Sequence, residues 1–285
     1  MRVGVSMYSY VSAVQAGRLD LVSFIHEAKR IGAEGVELLD FFYKNPDEER
    51  TLAQAALAET GLVCGVFSVA NNFAKDDPAE RKIALDRILF GIKEAVAYGA
   101  GTVRVFAGNL PPDASFGFDE ARAWIVEGLA EASDFAREQG VRLGLENHGK
   151  LAGRGEQVRG IIEEVREACG HDTLGANPDT GNFLLVGQPG HQGVAEVADL
   201  ATMVHFKDFA PAPAGYEGHV YDGLEGAQFR GTVIGEGTVD LEQCVSTLRA
   251  AVFTGWLNLE YEGDTDPFEG VPQSLANTYR FVRGA

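Results

Sequence analysis

The segment RLGLENHG (residues 142–149) joins a short strand pattern to an acidic residue near its carboxyl end. Successive side chains of a strand point to opposite faces, so Leu143 and Leu145 share an apolar face while Glu146 points to the other side. The same pattern recurs in three later segments, LGANPDTGN (174–182), MVHFKDF (203–209) and LNLEYEG (257–263). Strands of this kind pack their apolar face on helices while the second face lines an interior, as in a parallel barrel.

Each of these segments supplies one candidate metal ligand near the end of its strand, and the four are Glu146, Asp179, His205 and Glu260. An ion pair in the core would explain any one of them alone. Three carboxylates buried together without a cation would repel one another and be poorly solvated, and a divalent ion removes that problem. The sequence therefore predicts one metal site. Three oxygen ligands and one imidazole nitrogen favour Mn²⁺, and Mg²⁺, Co²⁺ and Zn²⁺ are also compatible with them.

Strand and helix patterns alternate along the whole chain. The eight strand patterns are VGVSMYS, GVELLD, LVCGVFSVA, TVRVFAG, RLGLEN, LGANPD, MVHFKD and LNLEYE. Helical patterns cover residues 19–32, 47–60, 78–98, 118–139, 157–169, 194–200, 241–251 and 271–282. An open doubly wound sheet is the alternative to a barrel, but it would spread the four polar residues along a row, whereas a barrel brings them together.

Length and composition agree with this alternation. The 285 residues, 45% of them hydrophobic, are close to the roughly 250 residues typical of a (β/α)₈ barrel. We therefore predict the α/β class and a single (β/α)₈ TIM barrel domain over residues 1–285. The longest connection, residues 209–237, follows strand seven and is expected to cover the substrate, with a flexible insertion as the alternative.

Charge and cysteine content exclude several classes of protein. A net charge of −18 argues against a nucleic-acid partner, because phosphate backbones are held by clustered Lys and Arg. The widely spaced Cys64, Cys169 and Cys244 indicate buried reduced thiols rather than a disulfide framework. No secretion signal or membrane-spanning apolar run is evident, so we expect a cytoplasmic protein without a membrane partner.

Five motifs, LENHG, PDTGNF, VHFKDF, GEGTVDL and GWLNLEYEG, resemble those of the xylose isomerase-like TIM-barrel superfamily, specifically the sugar phosphate isomerases/epimerases. The resemblance covers nearly the whole chain. It implies that Glu146, Asp179, His205 and Glu260 bind one divalent metal ion, commonly manganese. It also implies that the two glutamates serve as acid and base.

Two branches of this superfamily differ from the chain at informative positions. Ketohexose 3-epimerases carry a His three residues after the metal-binding Asp and an Arg six residues after the metal-binding His, where this chain has Asn182 and Pro211. The endonuclease IV branch uses extra histidines to hold three zinc ions, and this chain has Asn182 and the segment 229–231 in their places. The resemblance therefore implies one metal ion, leaves the substrate open and argues against DNA repair.

Three functions remain open. The first is a sugar isomerase or epimerase, in which Glu146 and Glu260 exchange a proton next to a carbonyl through a metal-stabilised enediolate. The second is a lyase or dehydratase that uses the same site on a keto-sugar, a keto-inositol, a dehydroshikimate-like acid or a 3-keto-glycoside. The third is a non-catalytic sugar-binding barrel, which retention of all four ligands argues against.

Several other residues are candidates for the site. His148 and Lys207 share strand faces with Glu146 and His205 and are predicted as further catalytic groups, with a hydrogen bond and an ion pair as the respective alternatives. The candidates for substrate contact are Glu37, Asn147, Asn182, His219 and Arg230. No phosphate-binding loop is evident after strands seven and eight, which favours a neutral carbohydrate or polyol as the substrate. Apolar loop residues such as Phe183 and Leu184 leave a homo-oligomer open.

Overall fold

The structure is a computed structural model that describes residues 1–110 and 114–284. Numbered in chain order, its strands are β1 (Arg2–Ser6), β2 (Gly35–Leu39), β3 (Val63–Ser68), β4 (Thr102–Val105), β5 (Arg142–Glu146), β6 (Leu174–Asn177), β7 (Met203–Phe206), β8 (Phe209–Pro211), β9 (Tyr221–Asp222), β10 (Gln228–Gly231) and β11 (Trp256–Leu259). Its α-helices are α1 (Val11–Gln15), α2 (Leu21–Ile31), α3 (Pro46–Thr60), α4 (Pro78–Tyr98), α5 (Phe118–Glu138), α6 (Gly155–Cys169), α7 (Asn182–Leu185), α8 (Gly190–Val197), α9 (Leu241–Ala250) and α10 (Pro267–Arg283).

Eight parallel strands of the described chain form a curved sheet in the order β6-β5-β4-β3-β2-β1-β11-β7. Its two outer strands meet along a seam, where isolated parallel bridges join Ala176 to Ala201 and Asp179 to His205. The amide of Thr202 donates to the carbonyl of Ala176 at 2.8 Å across this seam. The predicted (β/α)₈ TIM barrel is confirmed, and two of the candidate metal ligands lie where the barrel closes.

The two ends of the barrel interior differ in polarity. Val66, Met203 and Trp256 form a small apolar cluster near the amino-terminal ends of their strands. The indole ring of Trp256 lies so close to β2 and β3 that a Cβ at Gly35 or Gly65 would come within 2.5 Å or 2.2 Å of it, respectively. This cluster closes one end of the barrel, and the polar side chains occupy the carboxyl-terminal end.

The main apolar core lies between the barrel and its helices. Leu143 and Leu145 of β5 are fully buried there together with Ile125 and Leu129 of α5, as the alternation in β5 predicts. In the part of the chain that the structure describes, no helix combines the length and apolar character needed to cross a membrane.

The closing helix begins earlier than its sequence pattern predicts. Apolar periodicity indicated a start at Val271, but α10 begins at Pro267. The side chain of Asp266 accepts a hydrogen bond from the amide of Phe268 at 3.0 Å, and proline suits the first helical position because it has no amide to leave unpaired. Capping chemistry, rather than the apolar pattern, therefore sets this boundary.

The long connection after β7 contains a small antiparallel sheet in the order β8-β10-β9. The sequence predicted a loop over these residues. The strands joined by the pairing of Phe229 with Pro211 are too short to show an alternating pattern in the sequence. We call residues 209–231 the flap. An isolated bridge from Gly231 to Gly263 ties the flap to the segment after β11.

A glycine substitution tests the helix boundaries of the barrel. Gly61 ends α3 with a φ of 67°, and no atom lies within 4 Å of the position that a Cβ would take. We expect Gly61→Ala to lower the free energy of unfolding by about 1 kcal/mol, because a side chain disfavours this left-handed conformation. Urea denaturation followed by circular dichroism measures the change.

The matched control is Gly101→Ala, since this position has equally open surroundings without a positive φ. The control should leave the free energy of unfolding unchanged or raise it slightly. Equal destabilisation by both substitutions would contradict the assignment of the cost to backbone conformation.

Candidate metal centre

The four predicted metal ligands come together at the carboxyl-terminal end of the barrel. Glu146, Asp179, His205 and Glu260 each offer one ligand atom, and these atoms all lie within 4.8 Å of one another. All four residues are buried. They come from β5, the end of β6, β7 and the end of β11, so the convergence predicted from strand parity is present in the structure.

Local hydrogen bonds fix Asp179 at the seam between β6 and β7. One carboxylate oxygen, Oδ1, accepts from the amides of Gly181 and Asn182, each at 2.9 Å. Asn147 holds the backbone of Asp179 on both sides, accepting from its amide at 2.6 Å and donating to its carbonyl at 3.1 Å. The second carboxylate oxygen, Oδ2, is left to face the other ligands. Asn147 thus lies behind the ligand, in a supporting position.

A buried carboxylate beneath the cluster orients His205. Nε2 of His205 lies 3.0 Å from each carboxylate oxygen of Glu37. Glu37 is itself held by Ser68, whose hydroxyl donates at 2.5 Å, and by Asn258, whose amide donates at 2.8 Å. Because a carboxylate only accepts, Nε2 donates its proton to Glu37, and Nδ1 lies 3.2 Å from Oε2 of Glu146. Glu37 has no exposed surface, so it lies outside direct reach of a substrate.

Two buried candidate ligand atoms have charged neighbours but no hydrogen bond among the described residues. Oδ2 of Asp179 lies 2.9 Å from the ammonium of Lys207, and Nδ1 of His205 lies 3.2 Å from Oε2 of Glu146. Leaving a buried polar atom unpaired typically costs about 1–3 kcal/mol, so such atoms call for an explanation. Both point into a group of carboxylate oxygens, and three oxygens with one imidazole nitrogen form a donor set for a divalent ion. The residues present therefore fit one metal ion.

The electrostatics of the cluster lead to the same conclusion. Burial raises the pKa of Asp179 to about 7, although nearby Lys207 opposes the rise. Burial acts in the same direction on Glu146, but the charge of His205 reverses it, and the pKa of Glu146 lies below its ordinary value. For Glu260 the charge of Lys207 reverses the effect of burial, and its pKa is also lowered. The protein's own cations thus keep only some of these carboxyls ionised, and a divalent ion would relieve the remainder.

A cavity of about 220 Å³ opens above the cluster. The polar or charged side chains that line it include Arg104, Glu146, His148, Asn182, Lys207 and Glu260. The remaining lining residues are Tyr8, Phe41, Ala70, Phe106, Leu185, Tyr221 and Glu262. The cavity therefore brings the predicted catalytic residues together at one surface.

Arg104 and Glu262 are site residues that sequence reasoning did not select. Nε of Arg104 lies 3.1 Å from Oε2 of Glu146, and its guanidinium covers the ring of Phe106 at 4.0 Å. Glu262 lies 2.6 Å from the ammonium of Lys207. Arg104 had one usable signal, because an arginine between the two valines of TVRV is unusual in a buried strand.

His148 forms part of the cavity wall. Its imidazole packs on the ring of Phe106, with centroids 4.4 Å apart. Burial lowers its pKa, although the carboxylate of Glu146 opposes this. Asn182 stands nearby and donates to Oε1 of Glu146 at 3.2 Å. Both residues occupy positions from which they can contact a molecule in the cavity.

The structure does not bring His219 and Arg230 to this cavity. The amide of His219 donates to Asp264 at 3.2 Å. The guanidinium of Arg230 lies 5.6 Å from the ring of Tyr216 and lines a separate pocket of about 120 Å³. Both residues belong to the flap, Arg230 on β10 opposite Ala210, whereas the flap residue that lines the cavity is Tyr221.

The base of the flap is fixed by one carboxylate. Oδ2 of Asp208 accepts from the amides of Gly235 and Gly237 at 2.9 Å, and Oδ1 accepts from the amide of Val239 at 3.1 Å. The carbonyl of Asp208 accepts from the amide of Thr232 at 3.1 Å. Asp208, where the chain leaves the barrel, therefore holds residues 232–239, by which the chain returns to it.

Phe183 is buried rather than exposed, which corrects its placement on a surface loop. It starts a turn of helix α7 and lies in an apolar cluster with Val194 and Phe206. Its sequence position after TGN suggested a loop, but the helix turns its ring inward. This residue therefore lends no support to a dimer contact.

The chain matches a known protein family. The sequence model of the family described as xylose isomerase-like TIM barrel matches residues 25–281. The chain belongs to this family. The resemblance found in the sequence motifs is thereby confirmed. No curated protein sequence matches the chain significantly.

Three solved structures illustrate the family's fold. The 3-keto-D-glucoside 4-epimerase YcjR from E. coli has a TM-score of 0.75 and 19% sequence identity over 100% of both chains. An IolI protein with a bound zinc atom has a TM-score of 0.74 and 16% identity, covering 99% of this chain and 98% of its own. The D-psicose 3-epimerase from Clostridium cellulolyticum H10, solved with D-tagatose, has a TM-score of 0.73 and 13% identity over 99% of both chains. At sequence identities of 13%, 16% and 19%, the similarity between the chain and these three structures is a similarity of fold.

Substitution of Glu37 tests the support beneath the metal centre. Glu37→Gln retains the shape of the side chain but removes the carboxylate that accepts from His205. We expect the affinity for Mn²⁺ to fall by about 10- to 100-fold, since partners that orient metal-binding histidines contribute effects of this size. Competition with a fluorescent chelator measures the affinity.

The matched control is Glu27→Gln, which changes another buried glutamate that pairs with Tyr10 and Arg30 away from the cluster. This variant should bind Mn²⁺ as the parent protein does. Unchanged affinity in Glu37→Gln would show that the imidazole is oriented by other contacts.

Proposed function

We propose that the protein is a divalent-metal-dependent isomerase or epimerase of a small neutral carbohydrate or polyol, acting by proton abstraction next to a carbonyl. One observation carries this proposal: Glu146 and Glu260 both line the cavity and both belong to the metal cluster. They stand on β5 and at the end of β11, with β6 and β7 between them around the barrel. A substrate in the cavity would therefore have a carboxylate on two of its sides.

These two glutamates are suited to exchange a proton with a carbon atom. The lowered pKa of each carboxyl keeps both ionised near neutral pH, so either one can accept a proton. If one removes the proton from one face and the other returns it to the opposite face, the carbon is inverted. A divalent ion in the cluster would supply stabilisation of negative charge on the neighbouring substrate oxygen. The oxygen-rich donor set favours Mn²⁺ for this position.

His148 and Lys207 are proposed to assist from the cavity wall. The buried imidazole of His148 has a lowered pKa and is neutral near pH 7, so it can relay a proton between substrate oxygens. The ammonium of Lys207 lies 2.7 Å from Oε2 of Glu260 and faces the same cavity. Its positive charge would stabilise negative charge that develops on a substrate oxygen. Asn182 is proposed as a substrate hydrogen-bonding partner.

The cavity lining favours a neutral substrate about the size of one sugar ring. Four aromatic rings, those of Tyr8, Phe41, Phe106 and Tyr221, supply apolar surface for the faces of such a ring. The two cations in the lining, Arg104 and Lys207, already pair with carboxylates. A phosphate group would meet these carboxylates without a spare positive charge. The sugar epimerases among the structural neighbours support a carbohydrate substrate.

A lyase is the second candidate function, and the position of His148 in the cavity wall favours it. Elimination requires the same proton abstraction and, in addition, a group that protonates the departing oxygen. His148 lines the cavity within the same wall as Glu146 and is placed for that role. The isomerase and the lyase would use the same residues, so only their reaction products distinguish them.

Proton exchange with solvent tests the proposed chemistry. The metal-loaded protein is incubated in D₂O with ketoses, keto-inositols and dehydroshikimate, and deuterium next to the carbonyl is followed by NMR. We expect deuterium in recovered isomer. Glu146→Gln and Glu260→Gln should slow exchange by at least about 10³-fold, since each removes an acid–base group. Metal content is measured for each variant, because both residues are also candidate ligands.

The other outcomes separate the alternatives. Loss of water or of an aglycone from the labelled substrate identifies the lyase. Exchange that persists in both variants, or is absent with every substrate in the panel, contradicts proton abstraction by these glutamates. Glu27→Gln serves as the control, since its carboxylate is buried elsewhere.

The charge of the preferred substrate gives a further prediction. For any ketose that the protein turns over, the phosphate ester should have a kcat/KM at least about tenfold lower, which corresponds to about 1.4 kcal/mol. The methyl ether at the same hydroxyl separates bulk from charge and should be affected less. A higher kcat/KM for the phosphate ester would contradict the proposed neutral substrate.

A further inference from the structure

Lys207 occupies a position that a simple active-site cation would not need. Its ammonium lies 2.9 Å from Oδ2 of Asp179 and 2.7 Å from Oε2 of Glu260, which are both candidate metal ligands. It also lies 2.6 Å from Oε1 of Glu262, which does not belong to the metal group. One positive charge is thus shared between the metal cluster and a third carboxylate.

The direction of this side chain is fixed by its surroundings. The amide of Lys207 donates to the hydroxyl of Thr180 at 2.9 Å, and that hydroxyl lies 2.6 Å from the carbonyl of Lys207. A Cβ at Gly181 would come within 2.9 Å of Cγ of Lys207, so the glycine leaves room for the aliphatic chain. The side chain is only 5% exposed. The ammonium is therefore held in the cluster rather than in solvent.

A metal ion and this ammonium require the same oxygen atoms. Oδ2 of Asp179 has no hydrogen bond among the described residues, and the ammonium contact is an ion pair at one side of it. A divalent ion would draw on the same lone pairs and would repel a positive charge so near to it. Binding of the ion therefore works against the contacts of Lys207 with Asp179 and Glu260.

Glu262 gives the ammonium an alternative partner. Its side chain is 7% exposed and lines the cavity together with Lys207. The side-chain oxygen of Asn182, 3.4 Å from the ammonium, is a second acceptor on that side. If the lysine chain rotated so as to keep these two contacts, it would release Asp179 and Glu260. The ammonium would then stand at the cavity wall.

We propose that Lys207 competes with the metal ion for Asp179 and Glu260, and that Glu262 holds the ammonium when the ion binds. Glu262 is then a positioning residue that sets metal affinity through Lys207. The proposal rests on the metal binding that the proposed function requires, and not on the reaction itself. Its test accordingly measures affinity for Mn²⁺ and needs no substrate.

The test is a double-mutant cycle with Lys207→Met, Glu262→Gln and the combination of both. Mn²⁺ affinity is measured by competition with a fluorescent chelator. Lys207→Met should bind Mn²⁺ at least tenfold more tightly, because the competitor is removed. Glu262→Gln should bind it about tenfold more weakly, because the ammonium loses its alternative partner. In the Lys207→Met background, Glu262→Gln should change the affinity by less than threefold.

Each other outcome overturns part or all of the proposal. Equal or weaker binding in Lys207→Met means that the lysine orients the ligands instead of competing. An equal effect of Glu262→Gln in both backgrounds means that Glu262 acts only as a distant charge. Absence of Mn²⁺ binding by the parent protein overturns this proposal and the proposed function together, whereas tighter binding without catalysis overturns only the latter.

Two further variants serve as controls. Lys150→Met removes one charge from an exposed turn after β5 and should leave Mn²⁺ affinity unchanged. Lys207→Arg keeps the positive charge and should bind Mn²⁺ no more tightly than the parent protein. If Lys207→Met does not fold, as judged by circular dichroism, Lys207→Gln replaces it with the same expected gain.

Discussion

Compensation of buried negative charge is the constraint on which this site depends. Glu37, Glu146, Asp179, Glu260 and Glu262 lie within one small region at the carboxyl-terminal end of the barrel. The permanent cations that contact them in the described structure are Arg104 and Lys207. Carboxylates in such a number cannot all stay ionised in a protein interior unless more positive charge is present. The arrangement of hydrogen bonds, the shifted pKa values and the fit of a divalent ion all follow from that imbalance.

The barrel can tolerate this polar cluster because its other end is apolar. Trp256, Val66 and Met203 form an apolar cluster in the barrel, with Trp256 and Met203 at the first positions of β11 and β7. The next positions along the same strands, such as Asn258 and His205, carry the polar groups. Stability and chemistry are thus separated along the barrel axis, as is usual for this architecture.

Strand parity made the fold and the convergence of the four candidate ligands predictable from sequence alone. Each ligand terminates a strand with its own apolar face, and parallel strands must bring their carboxyl ends together. Glu37 was harder to place, since its role depends on pairing with His205, which is 168 residues away along the chain. Tyr221 gave no local signal, because it reaches the cavity only through the packing of the flap. Contacts between distant segments are what a single sequence does not display.

Asp208 lies directly before the flap, and its carboxylate and carbonyl hold the returning chain at Thr232, Gly235 and Gly237. The flap contributes none of the eight barrel strands and none of the four candidate metal ligands. Tyr221, which lines the cavity, belongs to the flap. A change confined to this one segment would therefore reshape the wall of the cavity without altering any of the four candidate metal ligands.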